Sequence, residues 1–113
     1  MVQANDIKKV FSSTGVAAVQ NNTFCVKEGE VFGLLGPNGA GKSTTFNVLS
    51  LGLKRSSGDA KLNYYLIDDI KSGTNVRAGI CPQHNPIWDN LSVDQSLRLL
   101  GHMRGIDKQD LDF

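Results

Sequence analysis

Residues 36–44 read Gly-Pro-Asn-Gly-Ala-Gly-Lys-Ser-Thr. This run matches the phosphate-loop pattern Gly-x-x-x-x-Gly-Lys-Ser/Thr at every fixed position. Before it, residues 30–35 (Glu-Val-Phe-Gly-Leu-Leu) form a short apolar run that predicts a buried strand. After it, residues 42–55 carry apolar side chains on a stretch without proline, which predicts a helix. A strand, a glycine-rich turn and a helix in this order are the context in which the motif binds phosphate.

The residue types in the motif suit a polyphosphate anion. Gly36, Gly39 and Gly41 allow backbone angles that other residues rarely adopt, so that main-chain amides can approach phosphate oxygens. A helix that begins near Gly41 adds free N–H groups and the positive end of its dipole. Lys42 supplies a full charge for the outer phosphates, and Ser43 offers a hydroxyl ligand for Mg²⁺. The alternative, a glycine-rich surface turn, is disfavoured by the flanking strand and helix.

Length and composition exclude several classes of protein. A chain of 113 residues with 40% hydrophobic and 20% charged residues is typical of one globular domain. The net charge of +1 and the scattered basic residues give no indication of nucleic-acid binding. No apolar stretch approaches the roughly 18 residues of a membrane span, and residues 1–6 lack the apolar core of a secretory signal. Cys25 and Cys81 each lie in an apolar neighbourhood, which predicts buried, reduced thiols rather than a disulfide.

The remaining pattern predicts an α/β fold in which an antiparallel β portion near the N-terminus lies beside an incomplete phosphate-loop sheet. The expected strands are residues 2–11, 16–20, 23–27, 60–67 and 76–81, with Asn21-Asn22 as the turn between the second and third of these. A helix is expected to start at Ser92, because Ser92 and Gln95 have the spacing of a capping box.

A second segment narrows the class of phosphate-loop protein. Residues 77–93 (Arg-Ala-Gly-Ile-Cys-Pro-Gln-His-Asn-Pro-Ile-Trp-Asp-Asn-Leu-Ser-Val) strongly resemble the glutamine-loop region of ATP-binding-cassette (ABC) proteins. Together with residues 33–45 they resemble the nucleotide-binding domain of subfamily A lipid-type transporters. The resemblance extends from about residue 6 to the end of the chain.

The resemblance implies roles for three places. The phosphate loop would hold ATP through Gly36, Pro37, Asn38, Gly39, Ala40, Gly41, Lys42, Ser43 and Thr44. Gln83 would meet the Mg²⁺ ion and the attacking water through its amide, so that Gln83 and Lys42 are the candidate catalytic residues and Ser43 and Gln83 the candidate metal ligands. Phe11 occupies the place of the aromatic residue that stacks on adenine, where the family more often has tyrosine. Alternatively, Phe11 is an ordinary aromatic of the core or of a sheet edge.

The resemblance also implies partners: a transmembrane transporter domain and a second nucleotide-binding domain, at the cytoplasmic face of a membrane. In that setting ATP hydrolysis would drive transport, with a lipid as a candidate substrate. The later part of a cassette carries the Leu-Ser-Gly-Gly-Gln signature, a strand ending in Asp-Glu (the Walker B strand) and a switch histidine, and none of these follows Gln83. Residues 1–113 are therefore expected to be a partial nucleotide-binding domain that hydrolyses ATP poorly by itself.

One structural expectation follows from this partial cassette, and two alternative functions stay open. Residues 31–35 should expose apolar side chains and unpaired strand edges, because the strands that would flank them lie in the later part of a cassette. A non-catalytic fragment that acts as a structural or nucleotide-sensing subunit of a larger assembly remains an alternative. A small phosphate-loop kinase is a weaker alternative, since the sequence has no pattern of lid arginines or of an acceptor site.

Overall fold

The computed structural model describes residues 1–70, 76, 78–84 and 87–111. The chain divides into two compact units, Met1–Gly79 and Ile80–Phe113. Part of the predicted strand at residues 76–81, namely Arg77, lies outside the described residues, and the rest of that stretch has no regular secondary structure.

The first unit contains an antiparallel sheet of four strands. The strands are β1 (Val2–Val10), β2 (Ala17–Val26), β3 (Ser57–Leu62) and β4 (Tyr65–Leu66), and their order across the sheet is β2-β1-β3-β4. Ala4 of β1 is paired with Phe24 on one side and with Ala60 on the other. The antiparallel β portion expected near the N-terminus is thereby confirmed.

Two predicted strand boundaries are wrong, and asparagine accounts for both. Asn21 takes a left-handed φ of 50° and stays inside β2 next to an irregularity in the pairing with β1, so that one continuous strand replaces the two predicted ones. Asn63, with a φ of 56°, instead turns the chain within the predicted strand 60–67 and divides it between β3 and β4. Asparagine tolerates this conformation in turns and bulges alike, and the sequence alone does not distinguish the two uses.

Helix α1 (Lys42–Leu49) follows the phosphate loop and packs on one face of the sheet. Its fully buried Val48 joins a core made with Ala4, Ile7, Val19, Ala60 and Ile67. The helix is shorter than the predicted 42–55, because Leu51 adopts a φ of 65° and Gly52 follows it. Little more than two turns of helix, directly after the phosphate loop, are therefore available to pack against the core.

Residues 31–35 do not form the predicted buried strand. They have no regular secondary structure, and the side chains of Val31 and Leu35 are 98% and 92% exposed. A strand needs a hydrogen-bonded neighbour, and no strand of the described residues lies beside this segment. The expected exposure of its apolar side chains is confirmed. Phe32 attaches the segment to β2 by stacking on Phe24, with ring centroids 4.9 Å apart.

The cysteines also differ from expectation. Cys25 and Cys81 are free thiols, but both are exposed rather than buried. Cys25 follows Phe24 in β2, and adjacent residues of a strand point to opposite faces. Phe24 packs against the core, which leaves Cys25 on the outer face.

The second unit contains helix α2 (Val93–Met103) and a short 3₁₀ helix (Lys108–Leu111). The predicted capping box is confirmed: Gln95 N donates to Ser92 Oγ at 3.2 Å, and Ser92 N donates to Gln95 Oε1 at 2.9 Å. Within the part of the chain that the structure describes, neither helix is long and apolar enough to cross a membrane.

A buried hydrogen bond joins α1 to β2. The hydroxyl of Thr45, fully buried on α1, accepts from Asn22 Nδ2 at 3.1 Å. A buried hydroxyl without a partner costs roughly 1–3 kcal/mol, which is more than a hydrogen bond usually adds to stability. Any placement of α1 that separated Thr45 from Asn22 would carry this cost, so the bond constrains where the helix lies.

We expect Asn22→Ala to lower the free energy of unfolding by roughly 1–3 kcal/mol, because it leaves the Thr45 hydroxyl without its donor. Urea unfolding measures this change. In a Thr45→Val background, where no hydroxyl remains to be satisfied, the same Asn22→Ala substitution should cost clearly less. Equal costs in both backgrounds would contradict this role of the bond.

Arg55 links the segment after α1 to β3 and to the short 3₁₀ helix Ile67–Asp69 that follows β4. Its Nη1 lies 2.6 Å from Asp68 Oδ1 and its Nη2 lies 3.2 Å from Asp59 Oδ1, while Nε donates to the carbonyl of Gly58. The hydrogen bond from Arg55 lowers the pKa of Asp68 below its usual value, and its counterpart raises the pKa of Arg55. Only the ionised carboxylate makes this pair.

Because folding lowers the pKa of Asp68, this pair stabilises the fold above about pH 4 and loses its effect as the pH falls through the lowered value. We expect Asp68→Asn to reduce stability at pH 7 and to flatten the loss of stability as the pH falls below about 4. Thermal unfolding across this range measures it. Asp69→Asn, which changes the adjacent exposed carboxylate, is the matched control. In this variant, stability should fall with decreasing pH as steeply as in the unaltered chain.

Candidate phosphate-binding site

The loop at residues 36–41 curls back on itself. Gly39 and Gly41 have φ values of 85° and 83°, which glycine adopts without the steric penalty that other residues meet. The amide of Ala40 donates to the carbonyl of Pro37 at 3.2 Å. A Cβ on Gly36 would lie 3.2 Å from the Cβ of Ala40, so the two ends of the loop are in close contact. These contacts give a compact turn rather than an extended segment.

The ammonium group of Lys42 lies across this turn. Lys42 Nζ donates to the carbonyl oxygens of Gly36 and Pro37, each at 2.8 Å. An ammonium group has three N–H donors, so two bonds to the loop leave one donor for a ligand. The loop therefore holds a positive charge in a set position while keeping part of its hydrogen-bonding capacity.

Several amides around the turn are available to an anion. Among the residues that the structure describes, several backbone N–H groups around the turn donate to no protein acceptor, including those of Gly39, Gly41, Lys42, Ser43 and Thr44. The last three begin α1, where the first N–H groups of a helix have no partner within the helix. Such amides, with the helix dipole behind them, attract phosphate oxygens.

Gly41 fixes the turn to the sheet. A Cβ at this position would lie only 2.1 Å from the carbonyl oxygen of Ala18 and 3.3 Å from a methyl group of Val19. The backbone of Gly41 therefore rests directly on the first residues of β2. Together with the bond from Asn22 to Thr45, this contact sets the point at which the helix starts.

The donor set fits Mg²⁺ at Ser43. The side chain of Ser43 is exposed on the first turn of α1, and its hydroxyl makes no hydrogen bond within the described part of the chain. Mg²⁺ prefers oxygen ligands and keeps several waters when bound beside phosphates. No group of three or more His, Cys, Asp or Glu side chains among the described residues could hold a metal ion, so a metal here would rely on the hydroxyl, the phosphates and water.

Phe11 belongs to the same unit as the loop. Its half-buried ring follows β1, and Lys9 Nζ lies 5.3 Å from the ring centroid. Gln83 belongs to the second unit, where it is exposed in a stretch without regular secondary structure. The structure thus brings the loop, Lys42, Ser43 and the start of β2 together in one unit, and it places Gln83 in the other.

Three residues that support the site were not predicted from the sequence to belong to it. Ala18 lies under Gly41, Asn22 holds Thr45, and Lys9 covers Phe11. Asn22 was interpreted only as a turn residue, and nothing in the sequence signals a contact made by the backbone of Ala18. The contacts of Ala18 and Asn22 join distant parts of the chain, which a linear motif does not report.

Similarity to known proteins identifies the family of this chain. The family model described as ABC transporter matches residues 19–112. The chain belongs to the ABC transporter family. The human cholesterol transporter ABCA5 is 38% identical over 90 residues, which cover 79% of this chain and 6% of that protein. Mouse ATP-binding cassette sub-family A member 9 is 40% identical over 102 residues, covering 82% of this chain and 6% of that protein. The resemblance to subfamily A is confirmed.

A bacterial relative and a solved structure complete the comparison. The linearmycin resistance ATP-binding protein LnrL of Bacillus subtilis is 37% identical over 106 residues, or 94% of this chain and 33% of that protein. The ATP-binding cassette MJ0796, solved as a dimer in a post-hydrolysis state with ADP and Pi, matches with a TM-score of 0.57 and 27% identity, covering 63% of this chain and 32% of that chain. The expected α/β fold class of the phosphate-loop NTPases is thereby confirmed. This ABC-family chain spans one third or less of each of these relatives.

We expect Gly41→Ala to destabilise the chain by more than the roughly 1 kcal/mol that a left-handed backbone alone costs an alanine, because the new Cβ overlaps the Ala18 carbonyl. Gly29→Ala is the matched control: its φ is 75°, but nothing lies within 4 Å of the added Cβ. Urea unfolding of both variants measures the difference. Equal destabilisation would show that the contact with β2 does not constrain the loop.

Proposed function

We propose that this ABC-family chain binds ATP with Mg²⁺ through residues 36–44. The observation that supports the proposal most directly is the curled loop, with Lys42 Nζ bonded to two of its carbonyls and with unpaired amides at the start of α1. An ammonium group and several N–H donors that converge on one small turn suit a triphosphate better than a neutral ligand. The ADP and Pi bound to the cassette MJ0796 support the same ligand class.

The resemblance to ABC proteins adds roles for individual residues to this proposal. Ser43 and Gln83 would ligate the metal ion, and Gln83 would orient the attacking water. A neutral amide suits this task because it can ligate and orient without titrating near neutral pH. Phe11 would stack on the adenine ring. Lys42, with its remaining N–H donor, would stabilise negative charge on the terminal phosphate as it is transferred.

We also propose that residues 1–113 are part of the nucleotide-binding domain of a transporter ATPase at the cytoplasmic face of a membrane. ATP hydrolysis, completed by residues outside this chain, would drive transport by a transmembrane domain, and a second nucleotide-binding domain would take part. The cholesterol transporter ABCA5 supports a lipid as the substrate class.

Titration of the full chain with Mg²⁺-ATP by calorimetry tests the binding proposal. We expect micromolar affinity that depends on Mg²⁺, and we expect Lys42→Ala to lower it by at least tenfold, because the only full charge within the loop is lost. Lys27→Ala removes an exposed lysine outside the loop and is the matched control, with the affinity of the unaltered chain.

The outcomes separate the candidate functions. Binding that is equal in Lys42→Ala and in the unaltered chain would place the nucleotide elsewhere on the molecule. Absence of binding at millimolar ATP, with an intact thermal transition, would contradict the proposal and favour a structural role within a larger assembly.

A further inference from the structure

The side chain of Lys9 occupies an unusual position beside the candidate base-stacking residue. Its Nζ donates to the carbonyl oxygen of Lys54 at 2.6 Å and lies 5.3 Å from the centroid of the Phe11 ring. The carbonyl of Lys54 belongs to the segment after α1, so Lys9 links β1, the ring and that segment. An ammonium over a ring at this distance is a cation–π contact.

The backbone on both sides of Phe11 is held by hydrogen bonds. Before it, the amide of Val10 donates to Ser56 Oγ at 2.9 Å, and Ser56 Oγ lies 3.2 Å from the Val10 carbonyl. At Phe11 itself, the amide donates to the carbonyl of Val16 at 3.0 Å. The Phe11 carbonyl accepts from the amides of Thr14 and Gly15 at 3.2 and 2.8 Å. The ring therefore projects from a backbone with little freedom, and the ammonium of Lys9 lies over one of its faces.

The same hydrogen bonds place Phe11 close to the phosphate loop. Val16, which accepts from Phe11, leads directly into β2, and two residues later the carbonyl of Ala18 lies against Gly41. Two residues of strand span roughly 7 Å. The ring and the loop thus lie on neighbouring parts of one unit.

We propose that Lys9 is a positioning residue for base recognition: its ammonium covers one face of Phe11 and leaves the opposite face for a purine base. The proposal rests on ATP binding at residues 36–44. The cation draws π-electron density toward itself, so the opposite face becomes less negative. An electron-rich purine stacks well on such a face, whereas a second cation is disfavoured there. Lys9 thereby sets both the orientation of the ring and the class of group that the ring accepts.

Two probes distinguish base recognition from phosphate binding: Mg²⁺-ATP, and Mg²⁺ with inorganic tripolyphosphate, which has no base. Affinities are measured by calorimetry on the full chain. We expect Lys9→Met, which keeps most of the stem and removes the charge, to weaken ATP binding about threefold to fivefold and to leave tripolyphosphate binding unchanged. Phe11→Ala should weaken ATP binding about tenfold or more and should likewise spare tripolyphosphate. Lys9→Arg, which keeps a cation over the ring, should restore the affinity for ATP.

Controls separate this role from a general effect on the fold. Lys8→Ala changes the neighbouring exposed lysine of β1 and should alter neither affinity. In a Phe11→Ala background, Lys9→Met should have no further effect on ATP binding, because the ring through which it acts is gone. Thermal unfolding of each variant reports whether loss of the bond to the Lys54 carbonyl has damaged the unit, and the Arg variant keeps a donor for that carbonyl.

An equal loss of ATP and tripolyphosphate affinity in Lys9→Met would overturn the proposal, because Lys9 would then act through the phosphate loop. An undiminished effect of Lys9→Met in the Phe11→Ala background would overturn it as well. If the unaltered chain binds ATP no more tightly than tripolyphosphate, the proposal of base recognition is wrong, while the proposal of phosphate binding stands. If it binds neither probe, the proposed function itself fails.

Discussion

The contact between the backbone of Gly41 and the carbonyl of Ala18 is the constraint on which the candidate site depends. There is no room for a side chain at Gly41, and its φ of 83° is one that other residues adopt only with strain. The contact places the first turn of α1 at the start of β2, and the bond from Asn22 to Thr45 holds the next part of the helix. The unpaired amides at the helix start keep their direction because both contacts act within one turn of them.

Charge within the loop is arranged before any ligand binds. The carbonyls of Gly36 and Pro37 hold the ammonium of Lys42, so its side chain is already ordered and already partly removed from water. Ordering a lysine side chain costs up to about 2 kcal/mol, and desolvating its charge adds to that cost. If residues 36–44 bind phosphate as proposed, a loop that meets these costs during folding would leave more of the interaction energy for the ligand, which is the advantage of preorganisation.

Features set by short-range interactions were the ones that could be predicted from sequence. The capping box of Ser92 and Gln95 and the curled glycine-rich turn before α1 depend on residues within a few positions of each other. Two predictions that depended on distant partners failed: among the described residues no strand lies beside residues 31–35, and Cys25 faces outward because the pairing register of β2, not the apolar neighbours of Cys25, decides its side. The asparagines at positions 21 and 63 could not be assigned from sequence for a similar reason. Both adopt a left-handed φ, but Asn21 lies at an irregularity within a strand and Asn63 lies in a turn between two strands. Contacts of Lys9 and Ala18 join segments that the sequence separates, and no motif signals them.

The phosphate loop keeps its curled shape although the segment before it forms no strand, and this separation has a physical reason. The described contacts that set the loop lie within the loop, at Lys42 directly after it, and in β2. They are Ala40 with Pro37, Lys42 with two carbonyls, and Gly41 with Ala18. Upstream, the stacking of Phe32 on Phe24 attaches the segment at one point, and the side chains of Val31 and Leu35 remain in water. Burial of those two side chains would stabilise a strand by roughly 1.5–3 kcal/mol each. That free energy would add to the stability of the domain without being needed to form the turn, so the geometry for phosphate and the completion of the sheet are separable properties of this chain.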